Sequence, residues 1–394
     1  MARSWRTKLA DNAAGVPEGF ESLVAPLFRG TTTIFTGARA AVEHWDQRRH
    51  AYSYGIHGTP TTLELAGRVS NLEGSFATFI LPSGQAAIAA VCLSILSAGD
   101  HVLLPDSAYG PAKGFATEIL ERLGVAWSAY PPLCGEAIHE HLRPDTRLIW
   151  CESPGSITME VQDVPAIVAA AHQRGVPVAL DNTYSAGVLF DAFAAGVDIS
   201  VQALTKYLSG HSDVFLASLS VGTEALYHQI GTTLARLGLA VSPADCSLAL
   251  RGLQTLAVRL DAIGASALSV AQWLAARPEI TCVLHPALPS CPGHAVWQRD
   301  FTGSTGVFSI LFRPEIDIEN VLDWVDRLGV FKVGYSWGGV TSLAMPYPVV
   351  RRQFNVPEGH LVRLHVGLEP TADLIDDLQS AFQKMSASVG SPSP

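Results

Sequence analysis

The sequence has little charge, no run of basic residues and no long apolar stretch. Charged residues make up 16% of the 394 positions, and the net charge is −10, which argues against a nucleic-acid-binding protein. No apolar segment reaches the ~18 residues that a membrane-spanning helix needs. The first residues, Met1 to Arg6, are not followed by the apolar core of a signal peptide. We therefore expect a cytoplasmic protein with neither a nucleic-acid nor a membrane partner.

Cysteine is sparse and scattered. The six cysteines form no Cys-x-x-Cys pair, so reduced thiols fit better than a disulfide framework or a zinc site, and no metal site is predicted. Hydrophobic residues make up 48% of the chain, which is typical of a globular protein that buries a large core.

Lysine is also rare, with only five in the chain, and Lys206 is the informative one. It ends a buried-looking segment, Ala203 to Tyr207, with polar neighbours on both sides. Asp181-Asn182-Thr183 ends an apolar run 25 residues earlier. A lysine amine forms a Schiff base with pyridoxal phosphate (PLP), and an aspartate keeps the pyridine nitrogen protonated. The pair predicts a PLP enzyme in which Lys206 binds the cofactor and acts as general base.

The order of apolar patterns predicts two domains and an arm. Short apolar runs alternate with helical patterns over residues 59–255, which predicts an α/β domain on a mainly parallel sheet. Residues 1–58 are irregular and read as an arm that packs on something else. After a long helix at about 247–276, residues 256–394 predict a smaller α+β domain. Strands are expected at 76–81, 101–104, 148–151, 176–180, 303–311 and 362–366.

A candidate phosphate site lies at Pro82-Ser83-Gly84-Gln85, where a strand passes into a helix. Unpaired N–H groups at a helix start favour an anion, and Gly84 lets a phosphate approach the backbone. The same pattern also occurs in turns that bind nothing, but Asp181 and Lys206 require a phosphate anchor in the same sheet. Thr205 offers a hydroxyl to this phosphate, and it points away from Lys206 if the segment is extended.

Five other side chains have both a functional and a structural interpretation. Tyr109 could stack on the pyridine ring or cover the edge of the core. His211 could act as a base, or hold its loop by hydrogen bonds. Arg363 could clamp an α-carboxylate or form a structural ion pair. Ser336 could touch the substrate carboxylate and Trp337 could wall the pocket, unless their glycine-rich loop is only a packed turn.

Taken together, these stretches resemble the Cys/Met-metabolism family of PLP enzymes, and within it the carbon–sulfur β-lyase branch. The likeness runs from about residue 54 to 384. It is densest at residues 152–161, 203–213, 285–289, 299–303 and 335–339.

The resemblance implies a type I aminotransferase-like fold and a homotetramer made of two dimers. It implies that Lys206 carries the cofactor, Asp181 holds the ring nitrogen and Tyr109 stacks on the ring. It places Tyr54 at the active site of a neighbouring subunit, as a catalytic and cofactor-binding residue. By the same family pattern the phosphate is bound through Gly84, Gln85 and Thr205, and the substrate carboxylate by Arg363 and Ser336, while Ser83 stays a cofactor-binding candidate from its place in the motif.

The sequence departs from the family at two positions. Ile56 stands where relatives carry a phosphate-binding arginine, and the adjacent His57 supplies at most a titrating charge in its place. Thr341 stands where relatives commonly carry glutamate, near the distal end of the substrate. The preferred thioether is therefore open.

The implied reaction is cleavage of L-cystathionine, or a related cysteine thioether, to homocysteine or another thiol, pyruvate and ammonia, within methionine biosynthesis. Two alternatives stay open at this point. One is a γ-acting relative such as a γ-synthase, a γ-lyase or a specialised-metabolism enzyme. The other is a PLP-binding regulator without catalysis.

Overall fold

A computed structural model describes residues 4–9, 23–43, 53–350, 352–354 and 357–389. Within these residues the chain forms two β-sheets flanked by helices. The larger sheet contains β1 Ala77–Leu81, β2 His101–Pro105, β3 Ala126–Tyr130, β4 Thr146–Glu152, β5 Val178–Asp181, β6 Ile199–Ala203 and β7 Ala217–Val221; the smaller contains β8 Ile280–Leu284, β9 Val307–Phe312, β10 Lys332–Val333, β11 Leu343–Tyr347 and β12 Leu361–His365.

Helices separate most of these strands. Several begin at a side-chain cap, as the Ser and Asp residues before them predict. The helices are α1 Trp5–Lys8, α2 Ala38–Glu43, α3 Pro60–Glu73, α4 Gly84–Ile95, α5 Gly110–Phe115, α6 Val164–His172, α7 Glu224–Leu237, α8 Pro243–Gln254, α9 Leu256–Ala275, α10 His294–Asp300, α11 Ile318–Asp326 and α12 Thr371–Val389.

The larger sheet is mainly parallel, as predicted. Its strand order is β1-β7-β6-β5-β4-β2-β3, and only β7 runs antiparallel to its neighbours. All residues of β2 are buried because apolar clusters cover both faces of the sheet. The parallel strands β2, β4, β5 and β6 therefore end together at one edge, and that edge carries the candidate site.

The smaller sheet is mostly antiparallel and carries its helices on one side. Its order is β10-β11-β12-β9-β8, with β10 and β11 parallel. Trp324 of α11 and Phe382 of α12 pack against Phe312 of β9, with ring centroids 5.1 and 6.1 Å from the Phe312 ring. The two sheets fit the predicted large α/β and small α+β units, whereas the exact division at 58 and 255 stays a prediction.

Several predicted boundaries were wrong. The single helix expected at 247–276 is two helices, because Thr255 leaves the helical conformation at φ −107° and ψ 5°. The strand expected from 303 begins at Val307. At its start, the Tyr207 hydroxyl accepts hydrogen bonds from the N–H groups of Gly306 and Val307. The last helix extends to Val389. Residues 390–394 lie outside the described residues.

The predicted arm is only partly described. In the described parts of residues 4–58 the regular structure is α1, α2, a short turn of helix at Gly55–His57 and one bridge between Thr32 and Tyr54. Across the described residues, no helix is both long and apolar enough to cross a membrane.

Candidate active site

Asp181 ends β5 at the carboxyl edge of the large sheet. Its Oδ1 accepts the N–H and the hydroxyl of Thr183 at 3.0 and 2.5 Å, whereas its Oδ2 has no donor among the described residues. The Thr183 hydroxyl also accepts the N–H of Ala203 at 2.9 Å, which ties the end of β5 to the end of β6. Burial raises the pKa of Asp181, and the Thr183 hydrogen bonds and the charge of Lys206 oppose this shift. A buried carboxylate with one free oxygen fits a cationic ring nitrogen.

Lys206 lies in a turn directly after β6. Its N–H donates to the carbonyl of Ala203 at 3.0 Å, and its own carbonyl accepts the N–H of Gly210 at 2.8 Å. The segment is therefore not extended, so the alternation considered for Thr205 and Lys206 does not apply. The Thr205 hydroxyl donates to the Leu216 carbonyl at 3.3 Å.

The Lys206 amine is held between a hydroxyl and an indole. Its Nζ donates to Ser336 Oγ at 2.5 Å and lies 5.2 Å from the Trp337 ring centroid. Burial lowers the pKa of Lys206 to about 8; the charge of Arg363 adds to this effect and that of Asp181 opposes it. An amine with this pKa is partly neutral near pH 7.5, as a nucleophile and base must be.

A buried arginine holds the turn that carries Lys206. Arg259 of α9 donates to the Tyr207 carbonyl at 2.6 Å, to the Leu208 carbonyl at 3.3 Å and to the Gly252 carbonyl at 2.7 Å. Gly210 adopts φ +73°, and a Cβ there would lie 1.9 Å from the Arg259 Nη1. The guanidinium thus fills the space that glycine leaves, and it fixes the backbone directly after Lys206.

Arg363 of β12 is a buried guanidinium, with no carboxylate within ion-pair distance in the part of the chain that the structure describes. It donates to the Ser336 carbonyl at 3.3 Å, and its Cζ lies 5.3 Å from the Tyr347 ring centroid. Burial lowers the pKa of Arg363. A buried cation without an anion is costly, so this position suits a substrate carboxylate.

The loop that carries Ser336 and Trp337 is pinned against Lys206. Ser336 adopts φ +80°, an uncommon conformation for a residue with a side chain. A Cβ on Gly338 would lie 2.9 Å from the Lys206 Cα, so only glycine lets the loop come this close. His365 also holds the loop, because its Nε2 accepts a hydrogen bond from the N–H of Gly338 at 3.1 Å.

The start of α4 provides hydrogen-bond donors beside the end of β6. The Ser83 side chain caps the helix through the N–H of Ala86, which leaves the N–H groups of Gly84 and Gln85 without an acceptor among the described residues. A Cβ on Gly84 would lie 3.2 Å from the Ala203 Cβ. Free N–H groups at the positive end of a helix fit a phosphate.

Tyr109 is held at the same edge by a second buried acid. Its N–H donates to Glu152 Oε2 at 2.7 Å, and Glu152 is the strand neighbour of Asp181. Burial, together with the charge of Asp181, raises the pKa of Glu152 well above its usual value. The Tyr109 ring is partly exposed, as a ring that stacks on a ligand must be.

Among the described arm residues, Tyr54 pairs with Thr32 and His57 ends the short helical turn before α3. Ile56, which lies between them in the sequence, lines a small cavity with Leu63 of α3 and Val241. Burial lowers the pKa of His57, so His57 is a weak replacement for an arginine charge in this chain. These roles stay predictions, because they require a neighbouring subunit.

Two other candidates lie apart from the amine. His211 is exposed, and its Nδ1 is 2.6 Å from the Ser209 carbonyl, in line with the loop-holding alternative. Thr341 is exposed beyond the Gly338-Gly339 turn.

Sequence reasoning missed several of the residues that shape this site. Glu152 lies in residues 152–161, which the sequence marks only by their resemblance to the family. Arg259 lies far along the chain from Lys206. Tyr347 and Arg352 carry no motif at all. The one available signal is the spacing of four residues between Thr255, which directly precedes α9, and Arg259 on α9, whose Nε donates to the Thr255 hydroxyl at 3.1 Å.

These features define a PLP enzyme with the type I aminotransferase-like fold: a lysine and an aspartate after adjacent strands, N–H groups at a helix start and a buried guanidinium that has no carboxylate partner among the described residues. The described residues contain no cluster of His, Cys, Asp and Glu that could hold a metal ion. The chain belongs to the Cys/Met metabolism PLP-dependent enzyme family, whose sequence profile matches residues 6–383.

Known proteins are similar along most of the chain. Cystathionine beta-lyase MetC of Escherichia coli K12 is 42% identical, over 84% of this chain and 86% of its own length. L-alanine/L-glutamate racemase of Wolbachia pipientis wMel is 35% identical, over 85% of this chain and 83% of its own. The crystal structure of metB from Corynebacterium glutamicum superposes with a TM-score of 0.88 at 26% identity, covering 97% of this chain and 98% of that one.

Proposed function

We propose that this chain is a PLP-dependent carbon–sulfur β-lyase that cleaves L-cystathionine, or a related cysteine thioether, to a thiol, pyruvate and ammonia. With L-cystathionine the thiol is homocysteine, which places the reaction in methionine biosynthesis. One observation carries the proposal. The Lys206 amine, with its pKa lowered to about 8, contacts the Ser336-Trp337 loop, and the same loop accepts a hydrogen bond from the free guanidinium of Arg363.

The residues that would hold the cofactor lie at the carboxyl edge of the large sheet and at the start of α4. Lys206 would carry it covalently, Asp181 Oδ2 would accept the ring N–H, and Tyr109 would cover the ring. The N–H groups of Gly84 and Gln85, with the Ser83 and Thr205 side chains beside them, would bind its phosphate. When bound, the cofactor would supply an electron sink for the pair that stays on the substrate Cα when its proton is removed.

The chain's own groups then move the protons. The released Lys206 amine takes the proton from the substrate Cα, while Arg363 holds the carboxylate and fixes which hydrogen faces the amine. The Cβ–S bond breaks with both electrons going to sulfur, and the thiolate takes a proton from Lys206 or from Tyr54 of a neighbouring subunit. Water then converts the three-carbon fragment to pyruvate and ammonia.

Arg363 offers a direct test of substrate binding. We expect Arg363→Lys to lower kcat/KM by roughly 100-fold, mainly through KM, because lysine keeps the charge but loses the two-pronged hydrogen bond to a carboxylate. Steady-state kinetics on L-cystathionine measure this, with Arg236→Gln, an exposed arginine on α7, as the matched control. An unchanged KM would show that the carboxylate binds elsewhere.

The pKa of Lys206 predicts how cofactor uptake depends on pH. Only the neutral amine attacks the aldehyde, so the rate of PLP uptake by apoprotein should rise with pH and level off above about 8, the pKa of Lys206. An ordinary lysine would level off only near pH 10.4. Visible absorbance follows the reaction. A rate that still climbs tenfold per unit beyond about pH 9 would contradict the lowered pKa.

A second candidate function is amino-acid racemisation, which the similarity to the Wolbachia racemase favours. Both reactions begin with removal of the Cα proton, but a racemase returns a proton to Cα and needs no leaving group on Cβ. Cofactor-loaded protein should therefore release pyruvate from L-cystathionine and leave L-alanine unchanged. D-alanine formed from L-alanine at a rate comparable to thioether cleavage would favour the racemase.

We also propose a homotetramer of two dimers in the cytoplasm. The arm exposes apolar side chains such as Leu23 and Ile34, which a neighbouring subunit that receives Tyr54 would bury. Six cysteines without a disulfide fit a reducing compartment. Sedimentation of the purified protein tests the assembly.

A further inference from the structure

Residues 347–350 and 352–354 make up a strap that connects the small sheet to the large domain. The strap begins at Tyr347, the last residue of β11. It reaches the large domain at Arg352, whose side chain is only 3% exposed.

Arg352 fastens the strap to two loops at the carboxyl edge of the large sheet. Its Nε donates to Asp106 Oδ2 at 3.2 Å and its Nη2 to Glu160 Oε1 at 2.9 Å. Its Nη1 contacts the Thr158 hydroxyl, which donates to Glu160 at 2.6 Å. Each nitrogen of the guanidinium thus has its own acceptor, and this arrangement fixes both the orientation and the position of the Arg352 side chain.

Asp106 also binds the backbone of the strap. Its Oδ2 accepts the N–H groups of Gln353 and Phe354, each at 2.7 Å, and its Oδ1 lies 3.5 Å from the Lys113 Nζ. Asp106 directly follows β2 and precedes Tyr109 by three residues. The strap is therefore fastened beside the ring that the cofactor would meet.

At its other end, the strap places Tyr347 against the carboxylate-binding guanidinium. The ring centroid of Tyr347 lies 5.3 Å from the Arg363 Cζ. Met345 is the strand neighbour of Arg363, so Tyr347, two residues on, shares its face of the sheet. Burial and the nearby Tyr335 and Tyr109 raise the pKa of Tyr347, and Arg363 opposes them. The phenol therefore lies near these three side chains.

We propose that Tyr347 is a specificity-determining residue that contacts the substrate beside its α-carboxylate, and that Arg352 is the positioning residue that holds it there. The ligand class is an L-amino acid whose carboxylate lies on Arg363, so the proposal rests on the proposed function. The ring limits what fits beside the carboxylate, and the buried ion pairs keep the ring in place during turnover. Arg352 itself acts only through Tyr347.

The test is a double-mutant cycle on the cofactor-loaded protein. Tyr347→Ala, Arg352→Gln and the double variant are compared with Val349→Ala, an exposed position (71%) on the same strap. Two quantities are measured: KM and kcat for L-cystathionine, and Kd for L-alanine from its effect on the visible spectrum. Each single variant should raise KM and Kd about tenfold and leave kcat within about threefold, because ground-state contacts are lost. The double variant should match Tyr347→Ala, since the two residues act as one unit.

Other outcomes overturn the proposal. Additive losses in the double variant would show that Arg352 acts independently of Tyr347, and an unchanged KM and Kd in Tyr347→Ala would remove the specificity role. If Arg352→Gln does not fold, the same KM and Kd measurements on Tyr347→Ala and Arg352→Lys decide whether the proposal holds. A wild-type protein that binds L-alanine but cleaves no thioether would overturn the proposed function, while the pattern of Kd values would still decide on the strap.

Discussion

The Lys206→Ala variant is expected to lose lyase activity by about 10⁴-fold or more, because one change removes both the covalent anchor and the general base. Lys206 Nζ is the amine that contacts Ser336 and lies next to the Trp337 ring, and the other four lysines lie elsewhere in the sequence. The variant should also lose the visible absorbance of covalently bound cofactor. Its rate of pyruvate release from L-cystathionine is the measurement.

Two controls separate chemistry from folding. Lys384→Ala removes an exposed lysine on α12 and should leave the rate and the spectrum unchanged. Added methylamine should restore part of the activity of Lys206→Ala, since a small amine can replace the missing base. If Lys206→Ala keeps more than about a tenth of the wild-type rate, another group removes the Cα proton.

Asp181→Asn is expected to have the next largest effect, a loss of roughly 10³-fold in kcat, because a neutral amide cannot hold the ring nitrogen protonated. The free Oδ2 of Asp181 is the acceptor that this nitrogen needs, while Oδ1 is occupied by Thr183. The change keeps the side chain's size, so the fold should survive. The loss should appear in kcat rather than KM, since Arg363 and not Asp181 binds the substrate.

The matched control is Asp376→Asn, an exposed aspartate on α12. It should leave kcat within about twofold of wild type, as surface substitutions usually do. An Asp181→Asn variant with wild-type kcat would show that the ring nitrogen is not held by this carboxylate. Bound cofactor is quantified in both variants, so that weaker binding is not mistaken for slower chemistry.

The residues that could be predicted from the sequence are those at the ends of buried strands. Asp181 and Lys206 each follow an apolar run, and parallel strands bring their carboxyl ends to one edge, so the sequence order alone places the two side chains together. Gly84 was predictable for a similar reason, because a helix that follows a strand begins at this edge. Arg363 was predictable from the alternating pattern of its strand, and Ser336 from its glycine-rich loop.

The remaining residues act through long-range contacts that no local pattern records. Arg259 reaches the carbonyls after Lys206 from a helix about fifty positions away. Arg352 bonds to Asp106 across 246 positions. Charged residues of this kind usually lie on the surface, so the sequence gives no reason to bury them. The break at Thr255 was missed because one threonine in a helical pattern is ordinary.

The arm illustrates a different limit. Tyr54 and His57 are assigned to the site by resemblance, whereas within the single chain the intervening Ile56 lines a cavity with Leu63 of α3 and Val241. The family's arrangement requires a neighbouring subunit to receive Tyr54. Because Ile56 stands in place of an arginine, the phosphate would be bound by the start of α4 and by the Ser83 and Thr205 side chains. The other candidate is His57, whose pKa is lowered by burial.

The most direct test of the central claim is to identify the products that cofactor-loaded protein forms from L-cystathionine. β-Cleavage predicts pyruvate and homocysteine in equal amounts, with ammonia. A γ-acting enzyme would instead give 2-oxobutyrate and cysteine, because the bond on the other side of the sulfur would break. Pyruvate with homocysteine is the result we predict, and 2-oxobutyrate with cysteine would contradict the β-lyase assignment.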